Sequence, residues 1–128
     1  MIIKVPTKIE VKFSPGKGRG VFAIDFIKRN EIIEICHLVI LEGVDPQSKF
    51  SLDYSFNYRE DNKNYLSLPL GYGGIYNHSD KPNATYEMDQ NTKTFIFYAL
   101  KDINPGEEIC TFFGGKEYWD KRPWTKKV

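Results

Sequence analysis

The stretch Gly73-Gly74-Ile75-Tyr76-Asn77-His78-Ser79-Asp80-Lys81-Pro82-Asn83-Ala84 places hydrogen-bonding side chains between apolar runs, where each must find a partner. His78 has the widest chemistry: a general base, a metal ligand, or a ring that locks a loop through one nitrogen. His37 is the only other histidine and no Cys-x-x-Cys occurs, so the sequence predicts no metal. His78, Ser79 and Asp80 do not make a Ser-His-Asp triad, because a triad needs groups converging from separate segments, not three neighbours. A second stretch, Ser14-Pro15-Gly16-Lys17-Gly18-Arg19-Gly20, holds three glycines and a proline in seven residues and reads as a loop or turn. It does not meet the strand, helix and Lys-Ser/Thr requirements of a phosphate loop. Its glycines would let the backbone lie against a planar or extended ligand, a nucleoside or an amino-acid tail; a plain hairpin turn is the alternative. Cys36 and Cys110, 74 positions apart in apolar runs, read as buried free thiols.

The elements that must position these residues are short and mostly extended. Ile9, Val11 and Phe13 alternate with Glu10 and Lys12, the period-two pattern of a strand with one buried face. Val21-Phe22-Ala23 resumes apolar character, Lys28-Arg29-Asn30 reads as a turn, and Glu31 to Leu41 holds one or two strands. Glu42 to Asn64 is the least regular part and reads as a surface excursion. Within it Phe50, Leu52, Tyr54, Phe56 and Tyr58 alternate as in a strand, with a short helix as the other option. Leu66, Leu68 and Leu70 alternate again. Ala84 to Met88 pairs with Thr94 to Ala99 as a hairpin around Asp89-Gln90-Asn91. After the turn Asn104-Pro105-Gly106 comes a strand from Glu107 to Phe113, then Gly114-Gly115 and a polar tail with Tyr118, Trp119 and Trp124. The predicted class is mainly β.

Length and composition bound what such a chain can do. At 128 residues there is room for one domain. A hydrophobic share of 41% with 27% charged residues is that of a folded globule. Eighteen Lys and Arg against 17 Asp and Glu leave a net charge of +1, without the positive field that drives nucleic-acid affinity. No apolar run approaches the roughly 18 residues of a membrane span, and Met-Ile-Ile-Lys-Val-Pro-Thr-Lys lacks the apolar core of a signal peptide. An intracellular protein is expected, cytoplasmic or nuclear, or acting inside a host cell if viral. Aromatic residues, at 15%, are high and cluster in the middle and toward the end.

Three motifs in order, Gly-Lys-Gly-Arg-Gly-Val-Phe-Ala near the start, Asn77-His78-Ser79 with Pro82-Asn83-Ala84, and Gly106-Glu107-Glu108-Ile109 followed by aromatics and Gly114, resemble the SET domain over about residues 8 to 120. The resemblance is closest to the small single-domain members found in viruses and microbes. It implies a β-clip fold of short curved sheets with a C-terminal pseudoknot, one domain spanning residues 1–128, and methyl transfer from S-adenosylmethionine to a lysine side chain of a protein. A histone is one candidate substrate, and the product would be S-adenosylhomocysteine. By position, Lys17, Gly18, Arg19 and Gly20 match the loop that holds the methionine end of the cofactor, and Asn77 and His78 match the pair that contacts its amino group and adenine. Tyr118 or Trp119 matches the late aromatic that covers the adenine.

Methyl transfer from a sulfonium needs no nucleophile on the protein; it needs a neutral amine held in line with the methyl. Aromatic walls and the nearby sulfonium charge would both favour the uncharged amine. Tyr54, Phe56, Tyr72, Tyr76, Phe112 and Phe113 are the candidates for that wall. In the family, the strand after Gly-Glu-Glu ends in a tyrosine whose hydroxyl orients the amine. Here Phe113 stands at that position and Tyr118 lies five residues too late. A hydroxyl from Tyr54, Tyr72 or Thr111 is the expected substitute. Thr111 occupies the position at which relatives vary between phenylalanine and tyrosine, so the degree of methylation is left open. Many relatives append a zinc-binding cysteine-rich segment that completes the lysine channel. None is present here and no zinc is expected; the tail from Trp119 to Val128, or a second copy of the chain, is expected to supply that wall, with a merely solvated end as the alternative. The alternative to an active enzyme is a cofactor- or peptide-binding module impaired by Phe113.

Overall fold

The computed structural model describes residues 3–125. Nine strands and two short helices follow one another among them: β1 (Ile9–Ser14), β2 (Gly18–Ala23), β3 (Ile32–Leu41), α1 (Lys49–Tyr54), β4 (Phe56–Glu60), β5 (Lys63–Pro69), β6 (Asn77–His78), β7 (Ala84–Asp89), β8 (Thr94–Ala99), β9 (Glu108–Thr111) and α2 (Lys116–Asp120). They form two sheets, ordered β1-β2-β9-β6 and β4-β5-β3-β8-β7. The mainly β expectation is met, and the hairpin of Ala84–Asp89 with Thr94–Ala99 lies where it was predicted, in register from Ala84 opposite Ala99 to Asp89 opposite Thr94. Glu31 to Leu41 supplies one strand rather than two, with a register shift between Ile32 and Glu34.

Three expectations are corrected. Gly18, Arg19 and Gly20 are not loop: the turn is confined to the residues before Gly18, and β2 pairs with β1 from Gly18 opposite Ser14 onward. The excursion from Glu42 to Asn64 is not all surface, because it holds α1 and β4 and contributes Tyr58, 1% exposed, to the core. Its alternating aromatics divide at Ser55. Ser48 caps the helix by accepting from the Ser51 N–H, and the strand begins at Phe56. Asp61 and Asn62, both at positive φ, form the two-residue turn that lets β4 fold onto β5. The last strand ends at Thr111, so Phe112 and Phe113 lie beyond the ladder, and part of the polar tail is helical.

The core joins the two sheets. Val21, Ile27, Phe95, Phe97, Ile103 and Ile109 are fully buried. Phe95 and Phe97 alternate along β8, an inner strand of the larger sheet between β3 and β7, which points its aromatic face inward as period-two geometry requires. Asn83 ties this sheet to the other: its Oδ1 accepts from the Cys110 N–H at 2.8 Å and its Nδ2 donates to the Glu108 carbonyl at 2.8 Å. Parallel pairing of β6 with β9 then inserts the C-terminal strand between β6 and β2. Cys36 and Cys110 are buried free thiols. Burial, followed by the nearby Glu108 charge, pushes Cys110 up to about 11, so it stays protonated at neutral pH.

Candidate active site

Two groups of side chains meet at β6. On one side is a polar corner built by β2, β6 and β9. The Asn77 amide nitrogen donates to the Arg19 carbonyl at 2.8 Å and to Glu108 Oε2 at 2.7 Å. Ser14 donates to the other Glu108 oxygen at 2.8 Å, and the Lys17 ammonium stands 3.9 Å from it. Gly20 sits inside this knot, and a Cβ there would fall 2.9 Å from the Asn77 amide nitrogen and collide with the Glu108 carboxylate. A side chain at position 20 would therefore push the Glu108 carboxylate and the Asn77 amide out of this arrangement; the constraint is space, not backbone torsion. With both amide hydrogens engaged, Asn77 keeps its carbonyl oxygen for a ligand's donor.

His78 completes the corner but uses up its ring. Its Nδ1 accepts from the Phe113 N–H at 2.9 Å, which puts the proton on Nε2, 2.8 Å from Asp80 Oδ1. The buried imidazole thereby fixes the chain just after β9. Trp119 stands edge-on to it at 5.0 Å and stacks with Phe113 at 6.4 Å. Of the roles open to His78 from sequence, the ring's geometry matches that of a lock.

On the other side of β6 lies a cavity of about 520 Å³. Tyr54, Phe56, Tyr76, Thr111, Phe112 and Phe113 line it, all named from sequence, together with Asn77 and Tyr118. Lys17, Gly18, Arg19, Gly20, His78 and Trp119 do not: Lys17, Arg19 and Gly20 meet Asn77 and Glu108 at the corner, whereas Trp119 packs on His78 and Phe113, and of the cofactor candidates Asn77 and Tyr118 do line the cavity. Tyr72 is the exception among the wall candidates: it does not line the cavity, its N–H donates to Glu34 at 3.2 Å, and its side chain packs on the core. Tyr76 lines the cavity with its ring, stacked on Phe97 at 4.7 Å, while its hydroxyl donates to buried Glu34 at 2.6 Å. Tyr54 is a rim residue, 60% exposed, whereas Thr111 is buried.

Sequence reasoning missed four residues here. Tyr86 lines the cavity, packed on Phe95 at 4.4 Å and Phe56 at 5.8 Å. Burial raises its phenol above the usual range, with the neighbouring Tyr118 contributing, and burial also raises Tyr118. Its alternation with Ala84 on β7 carries a signal for an inward ring. Glu108 lay inside a quoted motif without a role. Glu34, 5% exposed between apolar residues, and Arg122, 9% exposed in a polar tail, gave no local signal. Burial raises Glu34 above its ordinary value, although the Tyr76 hydroxyl, the Tyr72 N–H and Cys36 pull the other way.

The family model described as the SET domain matches residues 18–114. With the fold and the corner described above, this places the chain in the SET-domain family. It is 28% identical over 117 residues to the H3 lysine-37-specific histone-lysine N-methyltransferase of Schizosaccharomyces pombe, covering 88% of this chain and 76% of that one. It is 29% identical to the histone-lysine N-methyltransferase Set8 of Drosophila pseudoobscura pseudoobscura, covering 91% of this chain but only 19% of the longer protein. Among solved structures, the Plasmodium falciparum protein PFL0690c superposes with a TM-score of 0.70 at 38% identity, covering 85% of this chain and 99% of that one. Among the described residues no helix is long and apolar enough to cross a membrane.

Proposed function

We propose that this chain transfers a methyl group from S-adenosylmethionine to a lysine side chain of a protein, a histone being the first candidate. One observation carries the reading: the Asn77 amide bonds the Arg19 carbonyl of β2 while Asn77 also lines the aromatic cavity, so one side chain joins the two half-sites. Backbone groups of residues 18–20 and the Asn77 carbonyl oxygen are suited to the polar end of the cofactor, and the Trp119 face to its adenine. When bound, the cofactor supplies a methyl group activated by a sulfonium. The chain's own task is to hold an amine without its proton. Phe56, Phe112 and Phe113 offer it no hydrogen-bonding partner, which disfavours the ammonium form. Tyr86 and Tyr118, raised by burial, remain neutral phenols, so this wall provides no phenolate to keep the amine charged. With the Ser51, Ser55 and Tyr76 hydroxyls engaged within the chain, Tyr54, Tyr86, Thr111 and Tyr118 are the hydroxyl-bearing residues on the cavity wall that can stand in for the hydroxyl absent at Phe113.

Phe113 also favours a second reading, a SET-like module that binds cofactor or peptide with little turnover. The methyltransferase and the cofactor-binding form of the module both require cofactor binding. Calorimetric titration of the protein with S-adenosylmethionine and S-adenosylhomocysteine is expected to show one site per chain. Absence of heat, together with an unshifted melting temperature, would remove both.

A further inference from the structure

Two of the stretches that wall the cavity are distant in sequence and carry helices: α1 with the residues just after it, and α2 with Lys121 and Arg122 just after it. Neither helix is longer than six residues, and neither is a strand of a sheet, so their separation is not set by ladder hydrogen bonds. Arg122 spans them. Its Nε donates to the Leu52 carbonyl of α1 at 2.7 Å, and an Nη donates to the Tyr118 carbonyl of α2 at 2.8 Å. Both acceptors lie in the last turn of their helix, where carbonyls run out of intrahelical donors. The guanidinium also lies flat enough on the Tyr118 ring to bring its carbon within 3.5 Å of the centroid. A buried cation is costly, and a leucine would fill the same space; what a leucine lacks is a fork of donors able to reach two carbonyls at once. A surface contact runs alongside, from the Trp124 indole N–H to Asp53 at 2.7 Å, with Lys49 over the indole at 5.3 Å.

We propose that Arg122 is a positioning residue, a latch that joins α1 to α2 and sets the width of the cavity before a lysine-bearing segment arrives. The proposal rests on the methyltransferase reading for what enters the cavity, but not for the latch itself. Preformed walls lower the ordering cost of binding a peptide, and the Asn77–Glu108 knot between β2, β6 and β9 is held by bonds that do not involve Arg122. Loss of the latch therefore separates the two ligands in degree: the substrate is weakened more than the cofactor, whose one proposed contact on α2 is the Trp119 face.

Amide hydrogen exchange on the full chain tests the latch without needing turnover. In Arg122→Ala, exchange over residues 49–55 is expected to accelerate by about tenfold or more while β3 and β8 keep their protection. Arg122→Lys, which keeps the charge and loses the fork, should fall between. Trp124→Phe, which removes the surface contact alone, should leave these residues near native rates. In methylation assays, Arg122→Ala should raise the protein-substrate KM about tenfold with kcat and the dissociation constant of S-adenosylmethionine within about threefold of native. The proposal is overturned if residues 49–55 keep native exchange rates, if the faster exchange spreads evenly into β3 and β8, if Trp124→Phe reproduces the whole effect, or if cofactor affinity falls in step with substrate affinity. A native protein that transfers no label at all would count against the methyltransferase reading instead, and the exchange result would still decide the latch.

Discussion

The corner around Asn77 and the wall around α1 are held by different means. In the corner, Asn77, Glu108, Ser14 and the His78 ring bond one another or backbone between strands already fixed by their ladders, and Gly20 leaves no spare volume. The wall depends on two short helices and a few side-chain contacts reaching from residues 122–124. A rigid half-site suits a ligand that never varies, the methyl donor, and an adjustable half-site suits a protein segment whose flanks can differ. The contrast predicts that changes in the corner act on cofactor binding and changes in the wall act on substrate or turnover.

Asn77→Ala should have the largest effect. It removes two bonds that hold the corner together, which lowers stability, and it removes the carbonyl oxygen offered to the ligand. Loss of that one ligand bond, about 1–3 kcal/mol, corresponds to roughly a tenfold to hundredfold fall in affinity for S-adenosylmethionine. Calorimetry reads it, and an affinity within a few-fold of native would break the contrast at its stronger end. Phe113→Tyr comes next and belongs to turnover: a restored hydroxyl worth about 1–3 kcal/mol should raise methyl transfer roughly tenfold to a hundredfold. Cofactor affinity should not change. An unchanged rate would indicate that another wall residue already supplies the hydroxyl.

Tyr86→Phe identifies that residue. Removing one hydrogen bond of about 1 kcal/mol should slow transfer several-fold, while Tyr54→Phe at the exposed rim should change little. Equal effects of the two would place the hydroxyl elsewhere. The smallest effect is expected at Glu34, which anchors Tyr76 from outside the cavity. Its folded-state acidity lies above the ordinary value of 4.5 because of burial, so the fold favours the neutral acid. The stability this contributes is complete below about pH 4.5 and is lost as pH rises through the higher folded value. Native protein should therefore lose stability relative to Glu34→Gln as melts are taken from acid toward neutral pH. A constant difference across that range would show that Glu34 does not titrate on folding.

Much of this division could be read before the fold was known. Motif order brought Arg19, Asn77 and the strand after Gly106 together, and alternation placed β7 against β8. The glycines of residues 16–20 misled, because flexibility was read where the structure uses absence of a side chain: Gly20 makes room for Glu108 and Asn77 in a strand. Arg122 and Glu34 were illegible for a common reason. A charged residue in sequence argues for solvent, and only the helix ends above Leu52 and Tyr118, or the hydroxyl of Tyr76, make burial tolerable. After Gly115 the tail carries four Lys and one Arg, a basic run in which nothing sets Arg122 apart. Two of its members, Lys126 and Lys127, lie outside the described residues, and Arg122 differs from Lys116 by being buried. Of the tail from Trp119, expected as a wall or as a solvated end, Lys121 and Arg122 line the cavity.

The most direct measurement is incubation of the native chain with S-adenosylmethionine labelled in its methyl group and a panel of histones, followed by mass spectrometry of the labelled protein. The account predicts label on a lysine ε-amine, weak in the native chain and stronger in Phe113→Tyr. Cofactor bound by both proteins with no lysine labelled by either would contradict it.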